Sequence, residues 1–89
     1  MQKKRRKLNK DFEKKIYSSK KNVELVLAKI YDINDEDLQN EYISAFNKVV
    51  YLYDELKQDY ENLGFNDDSE DFLQNYNKAF NNFKSEFEI

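Results

Sequence analysis

Eighteen carboxylates, fifteen lysines and arginines, seven tyrosines and five serines carry most of the reactive chemistry available to this 89-residue chain, which has no His, Cys or Thr. A serine hydroxyl is a weak nucleophile by itself, and no imidazole is present to activate one. Paired carboxylates can divide acid and base roles only in a cleft that separates their pKa values. Here the acids gather instead in two short runs, residues 32–37 and 67–71, where they read as solvated helix caps. No constellation for catalysis emerges, so the chain is expected to be no enzyme and to need no cofactor.

Both acidic runs also fail as metal loops. Asp32, Asn34 and Glu36 supply oxygens at the first, third and fifth positions of a calcium loop, but Asp37 stands where glycine is needed and Ile43 where a bidentate glutamate is needed. Asn66, Asp68 and Glu70 repeat the pattern, with Asp71 and Asn77 at the same two positions. No metal site is predicted.

The basic residues are the more informative set. Residues 3–21 hold ten Lys/Arg against Asp11 and Glu13, a net +8, while the remainder carries −11, so the overall −3 hides a basic head on an acidic body. Lys3, Lys4, Arg5, Arg6, Lys7 and Lys10, continued by Lys14, Lys15, Lys20 and Lys21, suit salt-dependent, sequence-independent contact with phosphates. No recognised nucleic-acid fold motif accompanies them. As a membrane anchor the segment lacks large apolar groups to insert, Leu8 and Phe12 being assigned to the core.

Helices must position these groups. From Asp35 to Gly64, Leu38, Tyr42, Ala45/Phe46, Val49, Leu52/Tyr53, Leu56, Tyr60 and Leu63 recur in steps of three and four, the period of one long amphipathic helix. Asn34 is its expected N-cap, ahead of Asp35, Glu36 and Asp37 at the positive dipole end. Gly64, the only glycine, is expected to end it in a left-handed C′ conformation with Phe65 packing back. A first helix is predicted over 9–31 with Leu8, Phe12, Ile16, Val23, Val26/Leu27 and Ile30 facing inward, interrupted at Ser19 or Lys20. A third is predicted over 69–87, capped at Asp68 or Ser69, with Phe72/Leu73, Tyr76, Phe80, Phe83 and Phe87 inward.

Short connections then give an all-α, three-helix, up-down-up bundle over 9–89, preceded by a flexible basic arm at 1–8. The alternative is a helical hairpin whose third helix docks only on assembly. Without Cys the chain tolerates a reducing compartment, and it contains neither an 18-residue apolar run nor a basic start followed by an apolar stretch. Cytoplasmic residence is the expectation.

Some apolar residues fall off the core stripe. Tyr51 points nearly opposite it beside Glu55, Val50 joins Ile43 on a flank, Leu25 is similarly misplaced on the first helix, and an antiparallel hairpin turning near Asn34 puts Tyr17 level with Tyr51. Tyr51, Glu55, Tyr17, Leu25 and Val50 are therefore the candidate partner-binding residues. In size, charge and helicity the chain resembles small helical immunity, inhibitor or antitoxin-like proteins of bacteria and their mobile elements, although no motif carries that resemblance. The expected function is a non-catalytic module that inhibits or sequesters a basic, nucleic-acid-handling protein. The alternatives are a nucleic-acid-associated protein using its basic arm and a self-assembling helical subunit.

Overall fold

The computed structural model describes residues 7–88, and they form three helices: α1 (Lys10–Tyr31), α2 (Glu36–Leu63) and α3 (Ser69–Phe87). Each start has a local cause. Asn9 caps α1 by accepting from the Phe12 N–H at 3.0 Å, and Asp35, not Asn34, caps α2 by accepting from the Leu38 N–H at 3.1 Å. Asp35 wins because its carboxylate stands three residues before the free N–H. The start of α3 is held differently. Asp68 occupies the cap position but makes no side-chain cap bond. Ser69 Oγ instead accepts from the Asn66 N–H at 2.8 Å, and Asn66 Oδ1 accepts from the Asp68 N–H at 2.9 Å, tying the turn to itself.

Contacts between helices run in opposite senses along each pair. Tyr60, near the end of α2, meets Asn9 at the start of α1, while Gln39, near the start of α2, reaches the end of α1. There the Gln39 amide donates toward the carbonyls of Ile30 and Tyr31, both at 3.2 Å, covering acceptors that the helix end leaves open. Tyr42 of α2 meets Phe87 of α3, and Tyr53 meets Tyr76. Neighbouring helices are thus antiparallel, and α2 lies against both others, giving a rod with extents of 57 × 22 × 18 Å.

The core divides in two. The larger cluster joins Val23, Val26 and Ile30 of α1 to Phe46, Val49 and Tyr53 of α2 and Tyr76, Phe80 and Phe83 of α3. The smaller holds Phe12, Leu56, Tyr60 and Leu73 with Phe65 and Phe72 at its edge, and Ile16 packs on both. Ser19 fills what the sequence shows as an interruption. It is buried, its hydroxyl donates to the Lys15 carbonyl at 2.9 Å, and its own carbonyl accepts from the Tyr76 hydroxyl at 3.2 Å. A small side chain that satisfies itself leaves room for a fully buried tyrosine opposite.

Other expectations are corrected. Leu8, Leu38 and Leu63, assigned to the core, are exposed. Leu63 and Leu38 lie at the ends of the longest helix, where neighbours run out, and Leu8 precedes α1. Gly64 has the expected positive φ, 72°, but ψ is −165°, an extended region open to glycine and not the left-handed helical one. That geometry sends the chain across the start of α1, where the Phe65 N–H donates to the Lys7 carbonyl at 2.6 Å and the Phe65 ring meets Phe12 at 5.1 Å. Lys7 is consequently part of the fold, within the 1–8 stretch expected to be a free arm.

Candidate interaction surface

With about 100° per residue, the positions of α1 opposite Phe12, Val23, Val26 and Ile30 are Lys10, Lys14, Tyr17, Lys21 and Leu25. All five are exposed, Tyr17 at 59% and Leu25 at 62%. The Lys21 ammonium lies 5.3 Å from the centroid of the Tyr17 ring, near enough for a cation–π contact. Tyr17 is also the wall between two depressions. One, of about 680 Å³, is open along α1 and lined by Lys10, Glu13, Lys14, Tyr17 and Ser18. The other, about 280 Å³ between α1 and α2, is lined by Ile16, Tyr17, Tyr53 and Tyr60 with Glu13, Lys20, Lys57 and Glu61 around them.

The floor of that second groove is firm. Tyr60 donates to Glu13 Oε2 at 2.6 Å and accepts from the Asn9 N–H at 3.0 Å, which ties α2 to the first turn of α1. Burial pushes the Tyr53 hydroxyl pKa above its ordinary value, and the charges of Asp54, Glu24 and Glu61 push the same way. The Tyr53 phenol is therefore neutral at neutral pH.

Tyr51 stands elsewhere. It is 62% exposed near the middle of α2, on the face that also carries Asn40, Ser44 and Gln58. Glu55 of the same face is half-buried, and Val50 packs on the edge of the larger core cluster, so it is less available than its flank position suggests. The hairpin register, fixed by Asn9–Tyr60 and Ile30–Gln39, puts Tyr51 level with the Tyr17 region, but Tyr51 is not among the residues lining the Tyr17 grooves. Tyr17 and Leu25 therefore lie on one surface and Tyr51 and Glu55 on another, while Val50 belongs to the edge of the core.

Among the basic candidates, Lys10 lies on the exposed face of α1. Lys7 is held by its carbonyl, with its ammonium 5.9 Å from the Phe65 ring centroid. Lys3, Lys4, Arg5 and Arg6 lie outside the described residues. Sequence reasoning missed the lysine–tyrosine row as a unit, though its steps of four, three, four and four from Lys10 to Leu25 were visible. It also missed the groove, since Tyr53 and Tyr60 read only as core. Among the described residues no group of three or more acidic side chains is placed to hold a metal ion, and no helix is long and apolar enough to cross a membrane. No protein-family model, curated protein or solved structure matches this chain.

Proposed function

We propose that this chain is a non-catalytic protein-interaction module that inhibits or sequesters a basic, nucleic-acid-handling protein through the outer face of α2. The observation that supports it best is Tyr51. Other aromatic residues of α2, Tyr42, Phe46, Tyr53 and Tyr60, are packed into the bundle, whereas Tyr51 is left largely in solvent on the most supported helix. A rigid aromatic at the centre of a polar surface is the usual make-up of an interface anchor. The net −11 of residues 22–89 would speed encounter with a basic partner and reject acidic ones.

The test is partner capture from the native host on immobilised chain, with Tyr51→Ala in parallel and nuclease added to half of each sample. A basic protein retained through nuclease treatment and lost with Tyr51→Ala supports the reading. One that is retained equally by both chains, or released by nuclease, refutes it. Tyr51→Ala should leave stability within about 0.5 kcal/mol of wild type, as exposed substitutions do, so lost capture reports the surface and not the fold.

A further inference from the structure

We propose that the outer face of α1, with the groove beside Tyr17, is a second binding surface, and that it takes single-stranded nucleic acid by charge and stacking without reading base sequence. It is separate from the Tyr51 face, and neither reading depends on the other. Three observations carry it.

The first is charge. Lys10, Lys14, Lys15, Lys20 and Lys21 are all exposed within the first twelve residues of α1, against Asp11 and Glu13. Three of them share one face in helical steps of about 6 and 10 Å. Those steps match about two and three nucleotides of a stacked strand, which rises ~3.4 Å per nucleotide. The second is Tyr17, exposed between Lys14 and Lys21 in that row. An aromatic interleaved with lysines is the arrangement that lets a backbone lie along the charges while a base stacks on the ring. The third is the tyrosine-lined groove of about 280 Å³ next to it, a largely apolar recess whose rim carries Lys20 and Lys57 together with Glu13 and Glu61. A splayed base fits the chemistry of such a recess.

Other polyanionic surfaces fit less well. A duplex keeps its bases stacked on each other and would engage only the lysines, leaving Tyr17 and the groove unused. A membrane surface needs a broad apolar face to insert, and the apolar face of α1 is already buried in the bundle. An acidic peptide would meet the lysines but can stack on Tyr17 only where it carries an aromatic side chain, whereas every nucleotide brings a flat base.

Fluorescence anisotropy with a labelled oligothymidylate tests this, using a strand of roughly 20 nucleotides so that it exceeds the ~4 to 16 nucleotides a stacking site covers. The same assay is run with a duplex of equal length and with anionic phospholipid vesicles. Tyr17→Ala should weaken single-strand binding roughly 5- to 100-fold while Tyr17→Phe, which keeps the ring, stays near wild type. The triple change Lys10→Ala, Lys14→Ala and Lys21→Ala should make the log–log salt slope shallower by about 2, at ~0.7 per phosphate contact. Tyr51→Ala should change nothing, and circular dichroism of each variant should match wild type. The proposal fails if the strand does not bind, or if Tyr17→Ala binds it as tightly as wild type. It fails equally if duplex or vesicles bind as well as the strand, or if deleting residues 1–6 abolishes binding while the α1 substitutions leave it intact.

Discussion

Where α2 begins and α3 stops, the bundle is closed by rings. Tyr42 meets Phe87 at 4.8 Å and Phe83 at 6.4 Å, Phe46 meets Phe83 at 4.8 Å, and Phe83 stacks on Phe87 at 4.8 Å. Where α1 begins and α2 stops, Phe12 still packs on Tyr60 and Phe65, but directed bonds surround them: Tyr60 to Glu13 and Asn9, Phe65 to Lys7, and Asn66 to Asp59 and Gly64. The first end is specified by volume and the second by geometry. Packed rings tolerate small shifts in angle but not a lost ring, whereas hydrogen bonds tolerate lost volume nearby but not a moved backbone.

The largest expected effect therefore belongs to the ring-closed end. Phe46 is 1% exposed and meets two rings of α3, Phe80 at 6.4 Å and Phe83 at 4.8 Å. Phe46→Ala should lose ~3 to 5 kcal/mol in urea denaturation, a large part of the ~5 to 15 kcal/mol a domain has. A loss under about 1 kcal/mol would mean that this end collapses around the gap, and the contrast between the two ends would disappear.

Next comes Tyr76, which sits in the larger cluster and bonds to Ser19 in α1. Burial pushes its hydroxyl pKa up from 10.0 to about 12. The unfolded chain thus gives up this proton first as pH rises. The stabilisation is complete below pH ~10 and is lost between about 10 and 12, a fall of ~2 to 3 kcal/mol from this one group. Unfolding free energies measured across that window for wild type and Tyr76→Phe should converge as pH rises. Parallel curves would refute the assignment.

At the bonded end the backbone itself is the sensitive part. Gly64 holds φ 72° and ψ −165°, and the next N–H bonds to Lys7. A Cβ is strained there, so Gly64→Ala should cost ~1 to 3 kcal/mol. Amide exchange at Phe65 should accelerate more than exchange at Phe83, which lies in the ring-closed end. Equal acceleration at both would show that the ends are not independent.

The same contrast explains what could be read from the sequence. The ring-closed end was legible, because Phe46, Phe80, Phe83 and Phe87 are apolar residues at helical spacing and periodicity reports them directly. The bonded end was legible only in part: Phe12, Leu56, Tyr60 and Leu73 follow the same periodicity into the core, but the directed bonds around them do not show in it. A carbonyl of Lys7 accepting from Phe65 has no side-chain signature, and Gly64 announced a positive φ without its ψ. Leu38 and Leu63 were misplaced because periodicity knows nothing of neighbours' lengths: α2 spans about 42 Å against about 33 Å for α1 and 28 Å for α3, so its ends overhang. Ser19 was misread as a gap because its bond to the Lys15 carbonyl hides its polarity. Of the candidate surfaces, Leu25 and Tyr51 are found by their position off the stripe and Tyr17 by its hairpin register with Tyr51, while the groove wall made by Tyr53 and Tyr60 is concealed by their second role as core.

The smallest effect compares one hydroxyl at each end. Tyr60 donates to a carboxylate at 2.6 Å and accepts from the N-cap N–H of Asn9, both across 47 or more residues of chain. Tyr42 donates to the Phe87 carbonyl at 3.3 Å, at the fraying end of α3. Replacing either by Phe keeps the ring, so packing is nearly constant and only directed bonding changes. Tyr60→Phe leaves a part-buried N–H without this acceptor and removes a charge-assisted bond, so it should cost ~1 to 2 kcal/mol. Tyr42→Phe removes a long bond to a carbonyl that water can reach, and should cost no more than about 0.5 kcal/mol. If the two changes cost the same, the Tyr60 bonds add nothing beyond solvation. The bonded end would then be held, like the other, by its rings alone, and the stability of the groove floor beside Tyr17 would have to come from Phe12 and Phe65.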